Sequence, residues 1–363
     1  MLTEDIARRW ADLLTGYCLD LNPGELVAIT AEIEARPLIE SCWRAVIDRG
    51  AHPLLRLDLP GLHEYQLNHA TEEMLAHVPA TSMQEALAVD ARIRISAETD
   101  TRSAATIDPA RQAIHDRARG PLRTAARRAR WVLTQFPTAA YASDAGMSLE
   151  EYERFVVAAM FLDRDDPAEA WRELGRRQAG LVEFMSSVSR IRIEAEDTDI
   201  TLDVGGRTWM NSDGRRNMPS GEIYTGPIED SANGRLRCGF PVCRDGRELV
   251  GIELRFEAGR VVEARAEEGE EYLRSMIGLD EGASRLGELG LGLNSGIDRF
   301  TGSILYDEKI GGTVHLALGQ SYRETGGVND SALHWDLIVD TRRGGRITAD
   351  GRCVMEDGRW SVG

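Results

Sequence analysis

Of the 36 glycines in this chain of 363 residues, 8 lie in residues 1–190 and 28 in residues 191–363. Glycine costs about 1 kcal/mol against alanine inside a helix and is at home in turns and close backbone approaches. The partition therefore predicts a helix-rich first half and a β-rich second half that meet near residue 190. A chain of this length also exceeds one typical core, which predicts two domains, 1–190 and 191–363.

The first half alternates short β-type runs with helical patterns. Leu26-Val-Ala-Ile-Thr30 precedes a helix from about Arg36 to Arg49, Pro53-Leu-Leu-Arg-Leu-Asp58 follows, and Ala91-Arg-Ile-Arg-Ile95 and Trp131-Val-Leu-Thr-Gln135 repeat the theme. Such alternation predicts a parallel sheet wrapped by helices. Two more helical stretches, near 148–161 and 167–187, lead out of it. The second half opens with Arg190–Ala195 and Asp199–Val204, whose period of two reads as half-buried antiparallel strands. A hairpin is expected around the Ala258-Gly259 turn, and a solvated acidic helix over Glu267–Ile277. The fold class is thus α/β plus α+β: an N-terminal parallel α/β sheet domain followed by a β-rich C-terminal domain.

Acidic residues outnumber basic ones by 60 to 43, a net charge of −17. A phosphate backbone or an anionic membrane surface would be repelled, so neither nucleic acid nor membrane is an expected partner. The five cysteines, scattered without CxxC spacing, predict reduced thiols in a cytoplasmic protein. The opening Met1-Leu-Thr-Glu-Asp-Ile lacks a signal-peptide core, and no apolar run approaches the roughly 18 residues that span a bilayer.

Chemistry concentrates in the second half, which holds only two of the seven histidines, His315 and His334. In Ser331-Ala-Leu-His-Trp-Asp-Leu-Ile-Val-Asp340, a strand period of two puts His334 and Asp336 on one face and Leu333, Trp335, Leu337 and Val339 on the other. Gly312-Thr-Val-His-Leu-Ala-Leu-Gly319 repeats the pattern, with His315 opposite Val314, Leu316 and Leu318. A lone His-X-Asp occurs often by accident and a lone strand histidine usually belongs to the core; two such strands strengthen a metal reading. Glu222, between Pro219 and Pro227, and Glu288, among leucines and glycines, are acids that are costly to bury unless paired or metal-bound. Composition alone does not select them from 60 acids. No HExxH, GxSxG or GxxxxGK[ST] motif occurs, and Gly290, Gly292 and Gly296 read as turns and close packing rather than a dinucleotide fingerprint.

Taken together these segments resemble the metalloaminopeptidase family typified by aminopeptidase T. The likeness runs through Asn217-Met-Pro-Ser-Gly-Glu-Ile-Tyr-Thr-Gly-Pro227, Leu286-Gly-Glu288, Ile304-Leu-Tyr-Asp-Glu308, His315-Leu-Ala-Leu-Gly319 with Tyr322, and His334-Trp-Asp336, and more weakly through Leu26–Asp58. Carried over position by position, the resemblance implies that Glu222, Glu288, His315, His334 and Asp336 hold two divalent metal ions, with Tyr322 at the same site as a ligand or transition-state donor. One departure stands out: the family carries a second acid just before Glu222, where this chain has Gly221.

The resemblance implies a dinuclear hydrolase using Zn²⁺, Co²⁺ or Mn²⁺, a cytoplasmic homodimer that removes the N-terminal residue from peptides with a free amino terminus. Glu222 or Glu288 would take the proton of the attacking water. Two alternatives remain at this stage. A related branch of the scaffold opens dihydroxypyridine rings with one Fe(II), and His315, His334 and Asp336 alone would make a two-His, one-carboxylate triad. A non-catalytic binding protein would show no metal-dependent turnover at all.

Overall fold

The computed structural model describes residues 2–244 and 246–362. It divides into two compact units, Met1–Ala168 with Gly214–Pro219, and Glu169–Asp213 with Ser220–Gly363.

The first unit is α/β. Its parallel sheet runs in the order His52–Asp58, Leu26–Glu32, Ala91–Ser96, Arg130–Gln135, and the short strand Asn217–Met218 extends it in parallel. Val27, Ala28, Ile29 and Ala31 are all buried, as expected of a central strand covered on both faces. The helix Arg36–Asp48 buries Leu38, Ile39, Cys42, Ala45 and Val46, an i, i+3, i+4 stripe that fixes which side meets the sheet. The helix Leu149–Ala159 starts at a capping box, in which the Ser148 side chain accepts the Glu151 N–H and Glu151 reaches back to the Ser148 N–H.

The second unit is β-rich. An eight-stranded antiparallel sheet, from Arg260–Arg265 at one edge to Arg359–Trp360 at the other, and a five-stranded antiparallel sheet share one apolar core. Ile191, Ile193, Ile200 and Leu202 enter that core from the first sheet, and Leu289, Leu291, Val314, Leu316, Leu337 and Val339 from the second. Each such side chain, fully buried, stabilises the fold by roughly 1.5–3 kcal/mol. The expected hairpin forms, with Ala258 at φ 46° and Gly259 at φ 77° closing the strands Ile252–Glu257 and Arg260–Arg265. The acidic helix is shorter than expected and spans Glu270–Ile277.

The position near residue 190 falls inside the second unit. Helix Pro167–Met185 lays Leu181 and Met185 into that unit's core, while the segment 214–219 joins the first unit's sheet. Glycine content tracks where strands begin; which core a helix face joins depends on packing. All five cysteines are free thiols, and no described helix is long and apolar enough to cross a membrane.

Candidate metal centre

The five-stranded sheet runs in the order His334–Asp340, Thr313–Gly319, Leu286–Gly292, Glu222–Thr225, Met210–Ser212. Its register pairs every candidate ligand with a very small residue. Gly319 stands opposite His334, Ala317 opposite both Asp336 and Glu288, Gly290 opposite His315, and Gly292 opposite Glu222. Paired residues share a face. One face of the sheet therefore carries glutamate, histidine and aspartate among glycine and alanine, with Ser212, Tyr224 and Ile338 beside them, and the other carries the core leucines and valines.

The glycines act through the side chain they lack. A Cβ on Gly290 would lie 1.9 Å from His315 Nε2, so the imidazole occupies the space above that glycine. Gly290 and Gly292 were expected in turns and close packing; they lie within the buried strand Leu286–Gly292, where close approach is their role. A bulge between Leu286 and Glu288 resets the alternation, turning Glu288 to the ligand face while Leu286 and Leu289 stay in the core.

The residues singled out in the sequence converge. His315 Nε2 lies 3.5 Å from Glu222 Oε2 and 3.5 Å from Glu288 Oε1. His334 Nε2 lies 3.3 Å from Glu288 Oε2 and 3.6 Å from Asp336 Oδ1. Glu288 is thus held between two imidazoles. His334 Nδ1 is 2.9 Å from the Gln320 carbonyl oxygen, a contact that suits an N–H at Nδ1 and directs Nε2 toward the carboxylates. Tyr322 stands at the rim, 40% exposed, its ring 5.3 Å from that of His334 and 5.4 Å from that of Tyr224.

Electrostatics separate the two glutamates. Burial works to raise both carboxyls. For Glu222 it prevails over Lys309 and His315, and the carboxyl is pushed up. For Glu288 the two imidazoles overcome burial and hold the carboxyl down at about 2. Burial opposes charge on His334, yet Glu288 and Asp336 raise it to about 9; His315 is raised in the same way. Burial and the surrounding carboxylates push the Tyr322 phenol up.

The residues fit a divalent cation. Glu222 Oε2, Asp336 Oδ1 and both ring nitrogens of His315 are buried without a hydrogen-bond partner, an expensive state for polar atoms unless a cation completes them. Two groups bring three ligand atoms within 4.8 Å of one another: Glu288, His334 and Asp336, and Glu308, His315 and Asp336. Carboxylate oxygen with imidazole nitrogen suits zinc, cobalt or manganese.

Three contributors were not singled out in the sequence, although Glu308 closes the resembling segment Ile304–Glu308. Glu308 belongs to the second of those groups, and its neighbour Lys309 is fully buried, with Nζ 3.7 Å from Glu222 Oε1 and in direct contact with Glu308 Oε1. Burial draws the Lys309 amine below the usual lysine range, against the pull of the carboxylates. Both follow the single helical turn Ile304–Asp307, where no period of two or 3.6 marks a face. Gln178, buried on the helix Pro167–Met185, donates through Nε2 to the carbonyl oxygens of Glu222 (2.6 Å) and Ser212 (3.2 Å), pinning the Glu222 strand. Only its place among the apolar residues of a helix could have marked it.

Gly221 has a backbone explanation. Its φ is +108°, and a Cβ there would come within 2.7 Å of Asn294 Cβ, whose Nδ2 donates to the Ser220 carbonyl at 2.8 Å. An acid at this position would need a different local path, whereas Glu222 itself reaches the cluster.

The sequence model of the thermophilic metalloprotease (M29) family matches residues 3–360. The chain belongs to this family. It is therefore a metalloprotease, a metal-dependent hydrolase. Aminopeptidase 2 of Geobacillus stearothermophilus is 28% identical, with 97% of each chain covered. Aminopeptidase T of Thermus aquaticus is 27% identical over 98% of this chain and 96% of its own. The solved structure of wild-type AmpT from Thermus thermophilus superposes with a TM-score of 0.85 at 25% identity, covering 98% of this chain and 99% of that one. M29 membership agrees with the family resemblance carried by the Glu222, Glu288, His315 and His334 segments.

Proposed function

We propose that this metalloaminopeptidase releases the N-terminal residue of peptides using two divalent ions, zinc, cobalt or manganese, held by Glu222, Glu288, His315, His334 and Asp336 with Glu308 as a sixth ligand. The observation that carries this reading is the pair of carboxylate–imidazole groups that share Asp336. When bound, such ions supply Lewis acidity, lowering the pKa of a shared water and polarising the scissile carbonyl.

The protein's own groups divide the remaining work. Glu222, whose carboxylate reaches the cluster beside His315, is suited to accept the proton of the attacking water and pass it to the leaving amine. Glu288, set between the two imidazoles, is suited to act as an anionic ligand throughout. Tyr322 at the rim keeps its proton and can donate it in a hydrogen bond to the tetrahedral oxyanion. The substrate's α-amine pairs with a carboxylate of the cluster, which would make a free amino terminus a requirement. In the cell the reading places the enzyme in the cytoplasm as a homodimer.

Metal analysis joined to a substrate pair tests this. The expected result is about two ions per chain, hydrolysis of aminoacyl anilides and no hydrolysis of their N-acetylated forms. A single tightly held iron with oxygen uptake and no anilide cleavage would replace this reading with the ring-opening oxygenase. Tyr322→Phe should keep the metal content and lower kcat by about 10²–10³-fold, the usual cost of one oxyanion donor.

A further inference from the structure

We propose that Lys309 is a built-in cation that competes with the second metal ion, so that the Glu288–His334–Asp336 group loads tightly and the Glu308–His315–Asp336 group loads only against the lysine. This deepens the two-ion reading and rests on it. The inference starts from where the side chain lies. Lys309 is entirely buried, follows Glu308 directly in the chain, and contacts Glu308 Oε1 while its Nζ is 3.7 Å from Glu222 Oε1. Both acids lie on the His315 side of the cluster. The ion pairs of His334 run instead to Glu288 and Asp336.

The lysine thus touches one of the two groups at its carboxylate, and the two groups are unequal before any ion arrives. Charge leads the same way. Glu222, Glu288, Glu308 and Asp336 supply four negative charges, enough to balance two divalent ions. An ammonium in contact with Glu308 and 3.7 Å from Glu222 occupies carboxylate charge that the second ion would otherwise use. In a buried setting unit charges a few ångströms apart repel strongly, so the second ion meets a penalty the first does not. An ordinary structural lysine would place its ammonium in water with only its stem covered; here the head group itself is enclosed by the ligand carboxylates.

The test is stepwise loading of the metal-free enzyme with Co²⁺, followed by titration calorimetry and by the cobalt visible absorption bands, which need no turnover. The wild-type chain should bind a first ion tightly and a second at least about tenfold more weakly, a conservative figure for like charges at this range. Lys309→Met, close in volume and uncharged, should leave the first step within about threefold and tighten the second by about tenfold or more. Lys309→Gln serves as a second neutral variant should the methionine fail to fold. Two ions bound with unchanged affinities in wild type and variant would overturn the competition while preserving the two-ion site. Weakening of both steps in the variants would instead make Lys309 a positioning residue for Glu222 and Glu308. One ion in every protein would overturn the two-ion reading itself, and this proposal with it.

Discussion

Acidic side chains gather at the ends of strands in the first unit and on the face of a sheet in the second, and they are settled in opposite ways. At the carboxyl ends of the parallel strands, Glu32 and Asp58 stand in register. Arg94 from the next strand approaches both, 3.6 Å from Glu32 and 3.9 Å from Asp58, and Glu32 also accepts the Ala97 N–H at 2.6 Å. That cluster is partly exposed, and protein donors answer its charge. In the cluster on the antiparallel sheet Glu222 and Glu288 are buried and Asp336 half-buried, the ion-pair partners are His315, His334 and Lys309, and several ligand atoms have no hydrogen-bond partner. The same residue type is completed by an arginine and a backbone N–H in the first unit, and in the second it leaves Glu222 Oε2 and Asp336 Oδ1 without a hydrogen-bond partner.

The contrast predicts a large effect at one cluster and a small one at the other. Glu288→Gln should lower kcat by about 10²–10⁴-fold, in the range of lost acid–base and electrostatic contributions, and reduce bound metal measured by mass spectrometry. Retention of both metal and rate would remove Glu288 from the site. Gly290→Ala tests the close approach of His315: a methyl group in the His315 space should cost about 1–3 kcal/mol and lower the melting temperature by several degrees. It should also reduce metal occupancy, and an unchanged occupancy would show that the imidazole has another place to go.

The pH dependence of metal binding probes the same contrast more gently. His334 in the metal-free protein is raised from 6.5 to about 9, so near neutral pH it carries a proton that an ion must displace. Affinity should therefore rise with pH through this window and level off above about 9. Calorimetry in buffers of different ionisation enthalpy reads the released proton directly; a flat profile would contradict the raised imidazole. The smallest effect belongs to the first unit. Glu32→Gln should leave kcat within about twofold and cost no more than about 1–2 kcal/mol of stability, the scale of an exposed ion pair and one hydrogen bond.

Lys309 complicates the contrast usefully, since it is a fully buried lysine set against the candidate ligands Glu222 and Glu308. If it weakens the second ion as proposed, the sheet face combines both ways of settling charge.

The sequence by itself determined the kind of each unit and the faces of the site strands. Alternation of β and α runs dictates a parallel sheet, and a period of two sends His315, His334 and Asp336 one way and their leucine and valine neighbours the other, because the strand backbone allows no third direction. The family resemblance added Glu222, Glu288 and Tyr322, which periodicity does not select from the many acids and tyrosines. Tertiary structure decided the rest. The helix Pro167–Met185 joins the second unit because its apolar face fits that core, and Gln178 rides with it to the Glu222 strand. Register between strands places Gly290 beneath His315 and Ala317 between Glu288 and Asp336. Glu308 and Lys309 enter from an irregular turn. These are contacts between residues far apart in the chain, or within segments of no repeating period, and a local pattern carries no information about either.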